Sequence, residues 1–224
     1  LKKEGIQHLI IDVRDNPGGY MDAVAQIADE LISGDHVLIS TIGKNRSETL
    51  RSEREGIFEQ GRVTILINEH SASASEILAG VIQDLDRGTV IGRRTYGKGL
   101  VQEQFELPDH SAIRITTARY YLPSGRCIQR PYTDGKEQYK EDLFQRYAHG
   151  ELTRQDSAGT HQSKAVFKTK KQRTVYGFEG ISPDRFVALD TQDNEVLRTF
   201  YEEHMAFRFA VRYAAGNAVQ LKKY

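Results

Sequence analysis

A serine in a turn of small residues and a lysine between two glycines are the residues of this sequence best suited to chemistry. Ser73 lies in the segment Ser71–Glu76, SASASE, directly after an apolar run. Lys98 lies between Gly97 and Gly99, 25 positions further along. A serine hydroxyl is a poor nucleophile at neutral pH and requires a neighbouring base that accepts its proton. The pair favours nucleophilic catalysis with lysine, in place of histidine, as the base, which is typical of enzymes that cut peptide bonds.

A lysine acts as a base only when its amine is uncharged, although the ordinary lysine pKa is about 10.4. Burial lowers a lysine pKa because it disfavours the charged form. We expect Gly97 and Gly99 to let the backbone pass closely and carry Lys98 inward beside the serine. If the segment after Lys98 is extended, Lys98, Leu100 and Gln102 share one face, which places the Gln102 amide to orient the amine.

The turns around Ser73 also predict an oxyanion hole. Ser73 opens a predicted helix, so its amide and that of Ala74 belong to the unpaired donors of the first helical turn. An oxyanion placed there meets these donors and the positive end of the helix dipole. The turn Asn16–Gly19 follows another apolar run. Gly18 or Gly19 is a candidate for a second amide donor.

Each of these segments, taken alone, has a simpler structural interpretation. Serine is a favoured helix N-cap, the glycine turn is an ordinary turn, and a lysine between glycines usually lies in a surface loop. Their occurrence in this order, with Gln102 after them, favours catalysis. His70 lies three residues before Ser73, a poor position from which to reach the hydroxyl, so we interpret it as a turn residue.

The apolar pattern predicts an α/β core. Short apolar runs typical of buried strands occur at His8–Val13, Val37–Ser40, Val63–Ile67 and Thr89–Ile91. Helical spacing follows the first run from Tyr20 and the third run from Ile77. This order predicts right-handed crossovers within one sheet. Alternation of apolar residues after Lys98 predicts an antiparallel β extension of that sheet.

The remaining segments are more polar. The stretch Thr41–Gln60 predicts a surface excursion, and the segment 130–164 predicts a partly helical insertion with a mobile loop at 153–163. An apolar stripe predicts a C-terminal helix from about 194 to 214, formed by Leu197, Phe200, Tyr201, Phe207 and Val211. We therefore divide the chain into a core at 1–129 and 165–190, an insertion at 130–164 and a C-terminal helical segment at 191–224.

Composition argues against several other classes of protein. The 31 basic and 31 acidic side chains balance, so charge gives no case for nucleic acid or an anionic membrane as a partner. No apolar stretch approaches the roughly 20 residues that span a bilayer. The single cysteine, Cys127, and the spacing of the seven histidines predict no disulfide framework, no metal and no cofactor. The apolar run soon after Leu1 leads us to expect a fragment of a longer protein.

Five motifs in order resemble the carboxyl-terminal processing (tail-specific) serine peptidases. They are the segments Asp12–Gly19, Ser71–Glu76, Gly97–Gln102, Thr116–Arg126 and Gly180–Asp184. The resemblance implies a Clp protease/crotonase-like core and cleavage of proteins or peptides near their C-termini. It implies Ser73 as nucleophile, Lys98 as general base and Gln102 as the residue that positions it. The implied oxyanion donors are the amides of Ala74 and of the glycine pair, with Gly19 favoured over Gly18.

The same resemblance implies features outside the catalytic motifs. We expect a PDZ domain upstream in the full-length protein and a location in the bacterial periplasm or cell envelope, and a homo-oligomer stays open. Asp12, Arg14 and Glu76 match motif positions, and we interpret them as structural.

Two other functions fit the same fold. A crotonase-like enzyme acting on acyl thioesters would use a similar oxyanion pocket, but it relies on paired carboxylates and Glu76 stands alone. A non-catalytic interaction module would retain the fold without the chemistry. The presence of Ser73, Lys98 and Gln102 together argues against it.

Overall fold

The computed structural model describes residues 4–132, 135–154, 165–191, 199–200 and 203–217. The chain divides into two units, Leu1–Leu189 and Asp190–Tyr224. In chain order the first unit contains β1 (His8–Asp12), α1 (Met21–Asp29), β2 (Val37–Gly43), β3 (Ser47–Arg51), β4 (Arg62–Ile67), α2 (Ala74–Asp84), β5 (Gly88–Gly92), β6 (Leu100–Glu106), β7 (Ala112–Tyr121), α3 (Gly135–Ala148), β8 (Val166–Lys168), β9 (Thr174–Tyr176) and β10 (Arg185–Phe186). The second unit contains the helix α4 (Met205–Gly216).

A parallel sheet carries the two turns that contain the candidate residues. Its strand order is β1-β4-β5-β10, and the neighbouring strands are parallel throughout. Ile65 of β4 lies in register with Ile11 on one side and Val90 on the other. Because parallel strands end at the same edge of the sheet, the turns after β1 and β4 meet there. The prediction of an α/β core is confirmed.

The outer strand β1 is less buried than predicted. Its residues alternate between exposed and half-buried positions, and Ile10 is 65 % exposed. β1 lies at the edge of the parallel sheet, next to β4, and among the described residues the face that carries His8, Ile10 and Asp12 is exposed. The apolar run His8–Val13 could not reveal this, because it looks the same for a central strand.

The antiparallel strands form a second sheet, which corrects the predicted extension. Its order is β3-β2-β7-β6. The run Val37–Ser40 belongs to this sheet, since β2 pairs with β3 and with β7. The predicted surface excursion is wrong for residues 41–51, because β2 continues to Gly43 and turns back as β3. Four of the five residues of β3 are exposed, so the strand needed no apolar pattern.

Helix α2 lies between the two sheets. It contacts β5 of the parallel sheet and β2 of the antiparallel sheet, and α1 packs against it. Every residue from Ala74 to Asp84 is buried as a result. The serine turn at the start of this helix is thus attached to the most enclosed element of the fold.

The insertion and the C-terminal segment agree with the sequence in part. Helix α3 lies within the predicted insertion at 130–164, and residues 155–164 of the predicted loop region lie outside the described residues. Helix α4 confirms a C-terminal helix, with Phe207 and Val211 exposed; Leu197 and Tyr201 are not among the described residues. Within the described parts of the chain, no helix has the length and apolar character needed to cross a membrane.

Candidate active site

Ser73 sits in a strained turn between β4 and α2. Its φ of 57° and ψ of −119° lie in a region that non-glycine residues rarely adopt. The Ser73 amide donates to Glu76 Oε2 at 2.9 Å, which ties the turn to the helix that follows it. Such backbone strain costs about 1–3 kcal/mol and tends to occur at functional sites. A serine on a sharp strand-to-helix turn is also the arrangement of the nucleophile elbow.

The glycine turn after β1 is bonded directly to the serine turn. The Ser71 hydroxyl donates to the carbonyl of Val13 at 2.7 Å, and the Ala72 amide donates to the carbonyl of Asn16 at 3.0 Å. A further pair of bonds at 2.9 and 2.8 Å joins the amide and carboxylate of Asp15 to the side chain of Asn68. The two turns predicted to form the oxyanion hole are therefore brought together.

Gly18 makes the closest approach between these turns. Its φ is +93°, and a Cβ there would lie 2.6 Å from Ala72 O, 2.7 Å from Ala74 N and 2.9 Å from Ser73 Cβ. A side chain at this position would therefore push the glycine turn away from the serine.

The hydrogen bonds of the two turns narrow the set of predicted oxyanion donors. The amides of Gly18 and Ser73 already donate, to Asn16 Oδ1 and to Glu76. The amides of Gly19 and Ala74 have no acceptor within the described ranges. Of the predicted donors, these two amides are therefore able to donate to a further group.

One buried carboxylate connects the serine turn with the loop that carries Lys98. Glu76 Oε2 accepts the Lys98 amide at 2.8 Å in addition to the Ser73 amide. Its other oxygen accepts the Gly97 amide at 2.7 Å and the Thr95 hydroxyl at 2.5 Å. The backbone amides of Ser73 and Lys98 thus meet at a single oxygen atom.

Glu76 is fully buried. Burial raises the pKa of Glu76, and the four donors that point at the carboxylate oppose this rise. The sequence interpretation of Glu76 as structural did not include this link. The available signal was the spacing Ser-x-x-Glu at a helix start, which predicts a bond to the Ser73 amide but not one to Lys98.

Lys98, Leu100 and Gln102 line the same cavity, together with Ala72 of the serine turn. The cavity volume is about 640 Å³. Their shared face was predicted from an extended backbone, although the strand has an irregularity in register between Val101 and Gln102.

The prediction that Lys98 is buried is wrong. Lys98 is exposed in its loop, while Gly97 and Gly99 on either side are buried. The glycines do let the backbone pass closely: a Cβ on Gly97 would meet Arg130, and one on Gly99 would meet the backbone of Gln129. The lysine side chain nevertheless lies on the wall of the cavity, where solvent reaches it.

Part of the cavity wall comes from the start of the insertion. Tyr132 and Tyr139 line the cavity beside Tyr96 of the lysine loop. The rings of Tyr132 and Tyr139 stack at 4.3 Å, and the Arg130 guanidinium lies 4.3 Å from the Tyr139 ring and 4.8 Å from that of Tyr96. Arg130 also forms an ion pair with Asp142 of α3. Sequence analysis missed these residues, since nothing local relates them to Lys98.

The chain was compared with known proteins. The model of peptidase family S41 matches residues 1–138. The carboxy-terminal-processing protease of Bartonella bacilliformis is 31% identical over 195 residues, which are 86% of this chain and 43% of that protein. The chloroplastic C-terminal processing peptidase of Tetradesmus obliquus is 38% identical over 131 residues, which are 58% of this chain and 28% of that protein.

Solved structures agree with these matches. The photosystem II D1 C-terminal processing protease has a TM-score of 0.53 and 33% identity, over 57% of this chain and 33% of that one. The chain spans less than half the length of each of these three relatives. Because the family model covers more than half of the sequence and the fold agrees with it, the chain belongs to peptidase family S41.

Proposed function

We propose that this chain is the catalytic core of a serine endopeptidase that cuts protein substrates near their C-termini, with Ser73 as nucleophile and Lys98 as general base. The observation that carries the proposal is the single buried oxygen of Glu76 that accepts the amides of both residues. This oxygen holds the backbones of the two residues next to each other, which supports their acting as a pair. The strained serine turn and the two available amides are further support.

The reaction follows from these groups. Ser73 Oγ attacks the carbonyl carbon of the scissile bond while the neutral Lys98 amine takes the hydroxyl proton. The tetrahedral oxyanion accepts hydrogen bonds from the amides of Ala74 and Gly19; loss of one such donor typically costs a factor of about 10²–10³ in rate. The Lys98 ammonium then gives its proton to the leaving amine, and water releases the acyl group by the reverse sequence. Gln102 is placed to orient the amine.

Because Lys98 is exposed, the proposal includes a role for the substrate. A bound peptide fills the cavity, excludes water from its walls and so disfavours a charged amine there. The three tyrosines, Pro17 and Leu100 supply apolar surface for such a peptide. In this proposal the base becomes competent when the substrate covers it.

The setting of the full-length protein is part of the proposal. The relatives are named carboxy-terminal-processing proteases, and we infer the same class of substrate for this protein. We further infer an upstream PDZ domain and a location in the bacterial periplasm or envelope. Fractionation of cells that produce the full-length protein, with periplasmic and cytoplasmic markers, tests the location.

Cleavage of an unfolded protein substrate tests the two catalytic assignments. Ser73→Ala and Lys98→Ala should each abolish cleavage, whereas Ser75→Ala, in the same turn, should retain it. Full cleavage by either of the first two variants would reject the dyad. Cleavage by the full-length protein but not by this chain would place part of the activity outside these residues.

A further inference from the structure

The insertion is joined to the lysine loop by a buried group of charged residues that the proposed chemistry does not use. Arg146 lies near the end of α3 and Glu151 follows that helix, while Arg94 belongs to the loop that leads to Lys98. All three are buried, and Arg146 is only 2 % exposed.

Arg146 bonds the backbone of the lysine loop directly. Its Nη2 donates to the carbonyl of Arg94 at 2.6 Å and its Nη1 to the carbonyl of Thr95 at 3.2 Å. Its Nε donates to Glu151 Oε1 at 2.9 Å. Glu151 in turn accepts two bonds from the Arg94 side chain, both at 2.8 Å. One guanidinium of the insertion thus holds two consecutive carbonyl groups of the loop.

Two further hydrogen bonds connect these contacts with Lys98. Thr95, whose carbonyl Arg146 holds, donates its hydroxyl to Glu76, and Glu76 accepts the amide of Lys98. At the far end of the loop, the Arg130 amide donates to the carbonyl of Gly97 at 3.1 Å. The loop from 94 to 99 has no regular secondary structure, so such contacts replace a helix or strand ladder in fixing its path.

The electrostatics of the cluster point to a geometric role. Burial, together with the charge of Arg94, lowers the pKa of Arg146 to about 10. Buried ion pairs contribute little net stability compared with well-packed apolar side chains, because desolvation offsets their attraction. A charged cluster at this place therefore contributes a defined loop conformation more than it contributes stability.

We propose that Arg146 and Glu151 are positioning residues that hold the loop bearing Lys98, so that the insertion is a working part of the active site. This inference rests on the proposed Ser73/Lys98 chemistry. The residues act through the loop backbone and do not touch the substrate.

The test is the rate of labelling of Ser73 by a fluorophosphonate probe as a function of pH. The first variant is Arg146→Met, whose side chain is of similar length but cannot donate the bonds to Glu151 and to the two loop carbonyls. The second variant is Arg146→Lys, which keeps the positive charge. Arg126→Met is the matched control. Arg126 is 1 % exposed and pairs with Asp84 near the C-terminal end of α2. Its other bonds go to Gln83 and to the carbonyl of Tyr176, which lie outside the loop from 94 to 99. Circular dichroism gives the folded fraction of each variant.

Per folded molecule, Arg146→Met should label at least tenfold more slowly throughout the pH profile, because a loosened loop no longer holds Lys98 next to the serine turn. Arg146→Lys should show the same changes to a smaller extent, and it decides the question if Arg146→Met does not fold. Arg126→Met should keep the labelling rate of the unchanged chain. Unchanged profiles in the Arg146 variants would overturn the inference. Failure of the unchanged chain to label, or labelling that persists in Ser73→Ala, would instead refute the proposed dyad.

Discussion

Replacement of Glu76 by alanine removes the acceptor shared by the serine turn and the lysine loop. Four donors lose their partner: the amides of Ser73, Gly97 and Lys98 and the hydroxyl of Thr95. A buried donor left without an acceptor costs about 1–3 kcal/mol, so the loss is on the order of 4 kcal/mol or more. That is a large part of the roughly 5–15 kcal/mol that stabilises a typical folded domain.

Glu76→Gln should be much milder. Its amide oxygen can keep the bonds from Ser73 and Lys98, while its NH₂ group faces Thr95 and Gly97. The Thr95 hydroxyl can rotate and accept from it, but its own proton and the Gly97 amide then both lose Glu76 as acceptor, at a cost of about 1–3 kcal/mol each. Since the amides next to the reacting groups stay bonded, the labelling rate should fall by no more than about tenfold, or about 1.4 kcal/mol in the barrier.

Urea unfolding followed by circular dichroism gives the free energy of unfolding, and fluorophosphonate labelling gives the reactivity of Ser73. Glu69→Gln is the matched control, because Glu69 is buried and paired with Arg93 but bonds neither candidate residue. It should lose stability while each folded molecule keeps its labelling rate. A Glu76→Ala protein with unchanged stability and unchanged labelling would refute the reasoning.

Three further predictions concern the turn, the cavity and the response to acid. Gly18→Ala should lower the melting temperature and abolish labelling, because its Cβ would lie 2.7 Å from Ala74 N. Gly19→Ala is the control and should keep the melting temperature, because a Cβ there meets no atom within 4 Å; equal melting temperatures of the two variants would contradict this. Tyr139→Ala should raise KM for peptide substrates severalfold with little change in kcat, since it enlarges the cavity away from the reacting atoms, and an unchanged KM would remove Tyr139 from the substrate site. Burial raises the pKa of Glu151, but the bonds from two arginines outweigh burial, so the pKa of Glu151 in the folded protein lies below its ordinary value. The stability that the ionised Glu151 contributes is therefore present above the ordinary carboxyl pKa of about 4.3, and it is lost as the pH falls through the lower pKa of the folded state. As the pH is lowered from about 4.3, the Glu151→Gln variant should therefore lose less free energy of unfolding than the unchanged chain. An equal loss in both proteins, measured by urea unfolding at each pH, would show that Glu151 makes no such contribution.

The parallel part of the fold could be predicted because its information is local. The apolar run Val63–Ile67 is too short for a helix, ends in a turn and is followed by helical spacing, which leaves few alternatives. The second sheet could not be predicted in the same way. β3 is an exposed edge strand, held by backbone pairing to β2, and such pairing leaves no apolar pattern in the sequence.

In the candidate site, too, the features that depend on local sequence could be predicted and those that depend on tertiary structure could not. Ser73, Lys98 and Gln102 could be proposed because their side-chain types and short motifs carry the chemistry. Their connection through Glu76 depends on where β5 and the lysine loop lie relative to α2, which is a property of the tertiary structure. The contribution of Tyr139 depends on the path of the insertion back over the loop. The exposure of Lys98 depends on a cavity that no local pattern describes.

The mass of the fluorophosphonate adduct, with the modified residue located by peptide mapping, shows directly whether Lys98 activates Ser73. We expect one adduct per chain, on Ser73, in the unchanged protein, with a rate that rises with pH. We expect no adduct in Ser73→Ala and a rate in Lys98→Ala that is lower by orders of magnitude at neutral pH while the protein stays folded. Modification of a different residue, or equal rates in Lys98→Ala and the unchanged protein, would contradict the claim that Lys98 activates Ser73.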